Sequence, residues 1–339
     1  MVLLTDIRES NSRIATELPA KLVAVFVGGT SGIGETTMKQ FAKNVKEPRI
    51  YFVGRSDTAA ERIKTELAAL NPHGEYFFIQ SDVSLIKNVD KVCDEIKERE
   101  TAINVLCVSA GTLVMDKRTS EDLPYFTALG LYSRLRFVEN LLPLIEKATS
   151  LRRVLSVLIG TSEGDIDRND LSGESLSILR GRQHRASMMT FGLEALAKKA
   201  PSVAFVHDYP GIVKTQLGRD TKGVIMAIIT VLFLAFAAFI RIPIDETGER
   251  HLFFLTSARF PALSEPETAA GVALGKDVSV ALGSNGEPGS GVYSIDYNGE
   301  TGSPKTFELL GKLRKEGVRE QVWQYLEEVF TRITESASA

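Results

Sequence analysis

Cysteine is scarce: Cys93 and Cys107 are the only two in 339 residues, and they form neither a Cys-x-x-Cys pair nor a Cys/His cluster. That excludes a disulfide scaffold and suggests no metal site, so both thiols read as buried groups of a reducing compartment. An excess of charge of either sign is also missing. The 40 Lys and Arg nearly balance the 43 Asp and Glu, for a net charge of −3, which leaves no electrostatic footprint for a nucleic acid and makes a small molecule the expected partner. With 44% hydrophobic and 24% charged residues, the composition is that of a packed globular protein, neither disordered nor polytopic. The apolar stretch at residues 1–4 is too short for a secretory signal, so a cytoplasmic location is expected. One long apolar run exists, residues 224–240, in which Thr230 is the only polar side chain. As a helix it would extend about 26 Å, slightly under a hydrocarbon core of about 30 Å. It reads as a helix over a substrate pocket, and peripheral contact with an intracellular membrane is the reading left open beside it.

What is present is an alternation. Short β-rich apolar runs at 22–27, 50–53, 76–79, 103–108, 154–159 and 203–206 alternate with amphipathic segments near 35–45, 58–70, 84–100, 121–149 and 176–200. The pattern predicts an α/β fold, a doubly wound and mostly parallel sheet with helices on both faces. A further strand at 291–297 should rejoin the sheet, residues 5–18 should form a helix before the first strand, and 249–260 should be helical. The expected organisation is an N-terminal helical arm at 1–20, a single nucleotide-binding and catalytic domain at 21–300, and a C-terminal helical extension at 301–339. Nothing in 121–149 or 176–200 decides whether the chain forms oligomers.

Directly after the first strand comes Gly28-Gly29-Thr30-Ser31-Gly32-Ile33-Gly34, then a helix. Glycines there let the turn tighten and the backbone approach a diphosphate, which the amide hydrogens and the positive end of the helix then meet. The spacing of Gly28, Gly32 and Gly34 resembles the short-chain dehydrogenase/reductase family, whose fold is of the Rossmann type. Asp82-Val83 looks like its adenine-contacting pair, and Ser109-Ala110-Gly111 resembles its turn after the fourth strand. The segment from Pro210 and Gly211 to Thr215 is similar to the one that holds the nicotinamide end in that family. An acidic side chain at the end of the second strand would accept hydrogen bonds from a ribose and repel a 2′-phosphate. This chain has Gly54-Arg55-Ser56 instead, a cation and a hydroxyl, which favours NADP(H) over NAD(H).

The catalytic pattern departs from the resemblance. That family protonates the oxyanion left by hydride transfer with a tyrosine whose pKa is lowered by a lysine four residues on, aided by a serine and an asparagine. Here the tyrosine and lysine positions fall near Ser177 and Gly181. The serine position falls on Ile159 or Gly160, with Thr161 and Ser162 just beyond, and the asparagine position on Gly130. A positioned acid is worth about 10²–10⁴ in rate, so a substitute is needed. His184, seven residues past Ser177, is the candidate proton donor, with Thr161, ordered water or the substrate itself as other sources and Arg180, Arg182 and Arg185 placed to steady an anionic intermediate or a coenzyme phosphate. The other reading packs His184 between helices and leaves the arginines on a solvated face. His207 reads as a core histidine, and His73 and His251 have no constellation around them. The resulting expectation is an NADP(H)-dependent oxidoreductase acting on a carbonyl or alcohol of an apolar small molecule. The alternative is a relative that keeps the nucleotide cradle without redox chemistry: an isomerase, a cyclase or a nucleotide-sensing interaction protein.

Overall fold

The computed structural model describes residues 1–213, 215, 242–264 and 270–335; the apolar run at 224–240 lies outside the described residues. Seven strands form one parallel sheet in the order β3-β2-β1-β4-β5-β6-β7. They are β1 (Val23–Val27), β2 (Arg49–Gly54), β3 (Glu75–Gln80), β4 (Val105–Val108), β5 (Arg153–Val157), β6 (Ala204–Tyr209) and β7 (Val292–Asp296). The helices of eight residues or more are α1 (Leu4–Ser12), α2 (Gly32–Asn44), α3 (Asp57–Leu70), α4 (Ile86–Arg99), α5 (Ser133–Glu146), α6 (Ile178–Lys199), α7 (Ile244–Thr256), α8 (Pro304–Lys315) and α9 (Val318–Glu335).

A sheet covered on both faces needs strands that are apolar throughout, and the period of two then decides which layer each side chain joins. Val25, Val27, Leu106 and Val108 pack into one core with side chains of α4, α5, α6 and α9. Their neighbours Ala24, Phe26, Val105 and Cys107 pack into the other with α1, α2, α3 and α7. Both cysteines are buried thiols. The C-terminal helices belong to the first layer: Val322, Leu326, Val329 and Phe330 share a core with α4 and α6.

Two expected helices change form. The segment at 5–18 divides at Arg13 into α1 and a single turn, Ile14–Glu17. The segment at 121–149 starts as a short turn at Tyr125–Thr127, passes through a wider π turn at Ala128–Tyr132, and continues as α5. Such π turns are frequent at functional sites, and this one contains Gly130. Helix α7 begins earlier than the 249–260 expectation, at Ile244.

The chain builds β1, β2 and β3 outward on one side, then returns to place β4 against the free edge of β1. At that reversal the connections leave in opposite directions and open a crevice at the carboxyl ends of the strands, where doubly wound sheets bind their ligands. Among the described residues, no helix is long and apolar enough to cross a membrane.

Candidate active site

Three segments far apart in sequence meet at the crevice. The loop after β1 takes left-handed conformations at Gly28 (φ +87°) and Gly32 (φ +59°), which glycine adopts without steric cost. A Cβ at Gly28 would lie 2.6 Å from the Ala110 nitrogen, and one at Gly34 would lie 2.3 Å from Ser109 Oγ. The glycines therefore let the β4 turn press against the β1 loop. Ser109 Oγ donates to the carbonyl of Val27 at 3.2 Å and faces that of Gly28 at 3.4 Å, joining the two turns. Thr215 completes the convergence, its Cβ lying 3.2 Å from where a Cβ of Gly32 would stand. Thr30 packs against Gly54, Ser31 is extended at the start of α2, and Ile33 leans on the apolar core beneath. The first-turn amides of a 13-residue helix face this bend, and no side chain grows from Gly28 or Gly32, which turn it, or from Gly34 in the first helical turn. Those residues fit the diphosphate of a dinucleotide.

Beside the cradle lies a groove of about 530 Å³ lined by Arg55, Gln80, Ser81, Asp82, Asn88 and Lys91, among others. Arg55 Nη1 donates to Tyr125 Oη at 3.1 Å, which places the guanidinium at the end of β2. Ser56 Oγ accepts from the Ala59 nitrogen and so caps α3, leaving its own hydrogen to donate. Asp82 Oδ1 accepts from the Ser84 nitrogen, and Val83 is buried beneath it. Gly111 is exposed at the mouth of the crevice. Across it, Pro210 and Gly211 (φ +73°) follow β6, and Gly211 approaches Ile242 and Tyr297 too closely for a side chain.

The carboxyl end of β5 carries the unfamiliar part. Here the chain crosses over β6 and β7, so closely that a Cβ at Gly160 would lie 2.4 Å from the His207 carbonyl. Backbone amides in the crossing donate to side chains below: Ile159 to His207 Nε2 at 3.4 Å, and Thr161 to Ser294 Oγ at 2.7 Å. Glu163, buried, accepts from Thr190 Oγ1 at 2.7 Å and from Ser294 Oγ, and Thr190 Oγ1 also contacts His207 Nδ1 at 3.0 Å. Burial works to raise the Glu163 pKa, but the facing His207, Ser294 and Thr190 outweigh it and hold the carboxyl below its ordinary range. Above this network, half-buried Arg182 donates to Ser162 Oγ at 3.2 Å and lies 5.1 Å over the ring of Tyr209. Thr161, with φ +61°, turns the chain between the two layers.

The expectation for His184 needs correction. The side chain is fully buried. Its Nδ1 accepts from the Asp167 nitrogen at 3.2 Å, and its Nε2 pairs with the Leu171 carbonyl at 3.1 Å. Burial pushes its pKa down. A neutral ring donating from Nε2 satisfies both contacts, so neither nitrogen is left for a substrate proton, and His184 instead holds the 164–171 segment onto α6. Arg185 is likewise turned away, 4.8 Å over the Phe126 ring, and Arg180 is exposed.

Sequence reasoning overlooked Arg134. It stands one helical turn after Gly130 and is 1% exposed. Its guanidinium donates to the carbonyls of Leu129 (3.1 Å), Val108 (2.6 Å) and Ala110 (2.6 Å) and to Ser156 Oγ (3.2 Å). The signal was available: Gly130, Arg134, Phe137, Val138 and Leu141 share one helical stripe, and a cation on an otherwise apolar face requires a dedicated partner set. Among the described residues, no group of His, Cys, Asp and Glu forms a metal site.

Comparison with known proteins agrees with this geometry. The family model described as short chain dehydrogenase matches residues 22–147. An oxidoreductase of Emericella nidulans is 37% identical over 331 residues, covering 96% of this chain and 97% of its own. The oxidoreductase andH of Emericella variicolor is 34% identical, with 98% of both chains covered. Among solved structures, an alcohol dehydrogenase from the archaeon Thermococcus sibiricus, complexed with 5-hydroxy-NADP, shares the fold with a TM-score of 0.52 at 21% identity. That match covers 69% of this chain and 90% of the archaeal one.

Proposed function

The chain belongs to the short-chain dehydrogenase/reductase family, and on that premise we propose that it is an NADP(H)-dependent oxidoreductase acting on the carbonyl or alcohol of an apolar small molecule. The observation that carries the reading is the convergence of Gly28, Gly32 and Gly34 with Ser109, Ala110 and Thr215 at the strand-order reversal. The amides after Gly32 would hold the diphosphate. Arg55 and the Ser56 hydroxyl, at the end of β2 beside the groove, suit a 2′-phosphate. Both curated relatives are named oxidoreductases and the archaeal enzyme is described with an NADP derivative, which supports the reaction class and the coenzyme. The apolar character of the substrate rests on the composition of residues 224–240.

A bound nicotinamide supplies or accepts the hydride; the chain's own residues must manage the charge on the substrate oxygen. Since Ser177 and Gly181 cannot do this as a tyrosine and lysine would, we assign the task to Ser162 and Arg182. Arg182 donates to Ser162 Oγ, which leaves the serine hydrogen to point at a substrate oxygen. A cation at the hydroxyl oxygen lowers the energy of negative charge accumulating on the far side of that hydrogen bond. Thr161 is the neighbouring hydroxyl at the same strand end.

Calorimetric titration tests the coenzyme: micromolar NADPH binding, with NADH weaker, is the expected result, and no heat with either removes the reading. Oxidation of NADPH with a panel of hydrophobic ketones and aldehydes tests the chemistry. Binding without turnover on any of them favours the relative without redox chemistry, a reading to which the loss of the Tyr-x-x-x-Lys pair lends weight.

A further inference from the structure

The inference concerns Arg134 and rests on the NADP(H) reading above. A guanidinium 1% exposed is expensive to bury, and proteins normally offset that cost with a carboxylate. Among the described residues, Arg134 has no carboxylate within ion-pair distance; its hydrogen-bond partners are three carbonyls and one hydroxyl, all neutral. The nearest ionisable influence is Cys107, whose thiol burial holds up at about 12, so it is uncharged and offers no counter-ion. Burial draws the arginine's own pKa down to about 9, still well above neutrality, so the positive charge persists.

The position of this charge is specific. Val108 and Ala110 lie at the carboxyl end of β4 and Ser156 lies in β5 beside it, so the guanidinium sits under the strand ends on the β4–β5 side of the crevice. A dinucleotide bound across a doubly wound sheet places one nucleoside over each half, and the residue at the end of β2 meets the adenosine ribose. With Arg55 on that first half, the nicotinamide falls on the half above Arg134. The two oxidation states of the coenzyme carry the same phosphates and differ by one positive charge, which sits on the oxidised ring.

We propose that Arg134 is a positioning residue for oxidation state: a fixed, uncompensated cation beneath the nicotinamide half of the crevice that favours the neutral reduced ring over the cationic oxidised one. It touches neither substrate nor coenzyme and acts through its field, which is weakly screened in a buried site.

The test compares the dissociation constants of NADP⁺ and NADPH by calorimetry on the full chain, for the native protein, Arg134→Met and Arg134→Lys. The native protein should bind NADPH more tightly than NADP⁺. Arg134→Met should shrink the ratio of the two constants by about fivefold, and Arg134→Lys should retain it. A purely structural role for Arg134 would weaken both forms by one common factor in Arg134→Met, leaving the ratio unchanged, and would overturn the inference alone. Should Arg134→Met fail to fold, the native measurement still decides: NADP⁺ bound as tightly as NADPH refutes the proposal. Failure of the native protein to bind either form would overturn the coenzyme reading together with this one.

Discussion

The two halves of the sheet treat their carboxyl ends differently. On the β1–β3 side, the crevice is made of backbone: turning glycines, helix amides and a strand-end arginine, with few side chains that must be one particular residue. On the β4–β7 side it is made of side chains, and those are not the family's usual ones. A serine and an arginine stand at the mouth, a buried carboxylate network lies below, and an arginine sits under β4. The contrast teaches that a site built from backbone geometry places few demands on side-chain identity, whereas one built from side chains changes character with each replacement.

Substitutions should separate the halves. The largest effect is expected at Gly34→Val, where the new Cβ would meet Ser109 Oγ at 2.3 Å and the Gly28 carbonyl oxygen at 2.5 Å. NADPH binding should vanish in calorimetry and the melting temperature should fall, because overpacking against backbone costs about 1–3 kcal/mol. Retained affinity would mean that the loop is not the cradle. Next comes the other half: Ser162→Ala should lower kcat about 10²-fold while leaving the NADPH dissociation constant within a factor of about two. Unchanged turnover would move the proton chemistry elsewhere, with Thr161→Val the following variant.

A smaller effect is expected at Arg55→Ala, which should weaken NADPH about tenfold and spare NADH, since one partly solvated charge-assisted contact is lost. Equal weakening of the two coenzymes would place the 2′-phosphate away from Arg55. The smallest effect is a slope. The folded-state pKa of His184 lies below its unfolded value of about 6.5. On acidification the unfolded chain therefore takes up the proton first. The stability contributed by neutral His184 is full above about pH 6.5 and declines below it. Urea melts of His184→Gln between about pH 7 and pH 5 should show a flatter pH dependence than the native chain, with turnover at pH 7 lowered only modestly. A collapse of kcat with unchanged stability would restore a catalytic role to this imidazole.

Much of the fold is legible in the chain because buried parallel strands are apolar throughout and their crossover helices repeat at 3.6 residues, both local patterns. The strand expected at 154–159 ends instead at Val157, since the chain crosses over β6 and β7 from Leu158 onward, a path that no local pattern encodes. The glycine loop was equally readable, as φ values of +87° and +59° exclude most other residues. His184 misled for a converse reason. Helical spacing placed it near a catalytic face, but whether a histidine donates to substrate or to the Leu171 carbonyl depends on a loop that folds back thirteen residues away.

Sequence alone determined the parallel sheet, the turning glycine loop after β1 and the absence of the usual acid pair, because each is written in residue type and spacing along a short stretch. Tertiary structure alone decided which side chains meet at the carboxyl ends of β4 to β7. Ser162 meets Arg182 across 20 residues, Glu163 meets Ser294 across 131, and Arg134 reaches β4 across 26. Those contacts exist only after the helices have docked, when burial and hydrogen bonding select partners that the linear order does not bring together.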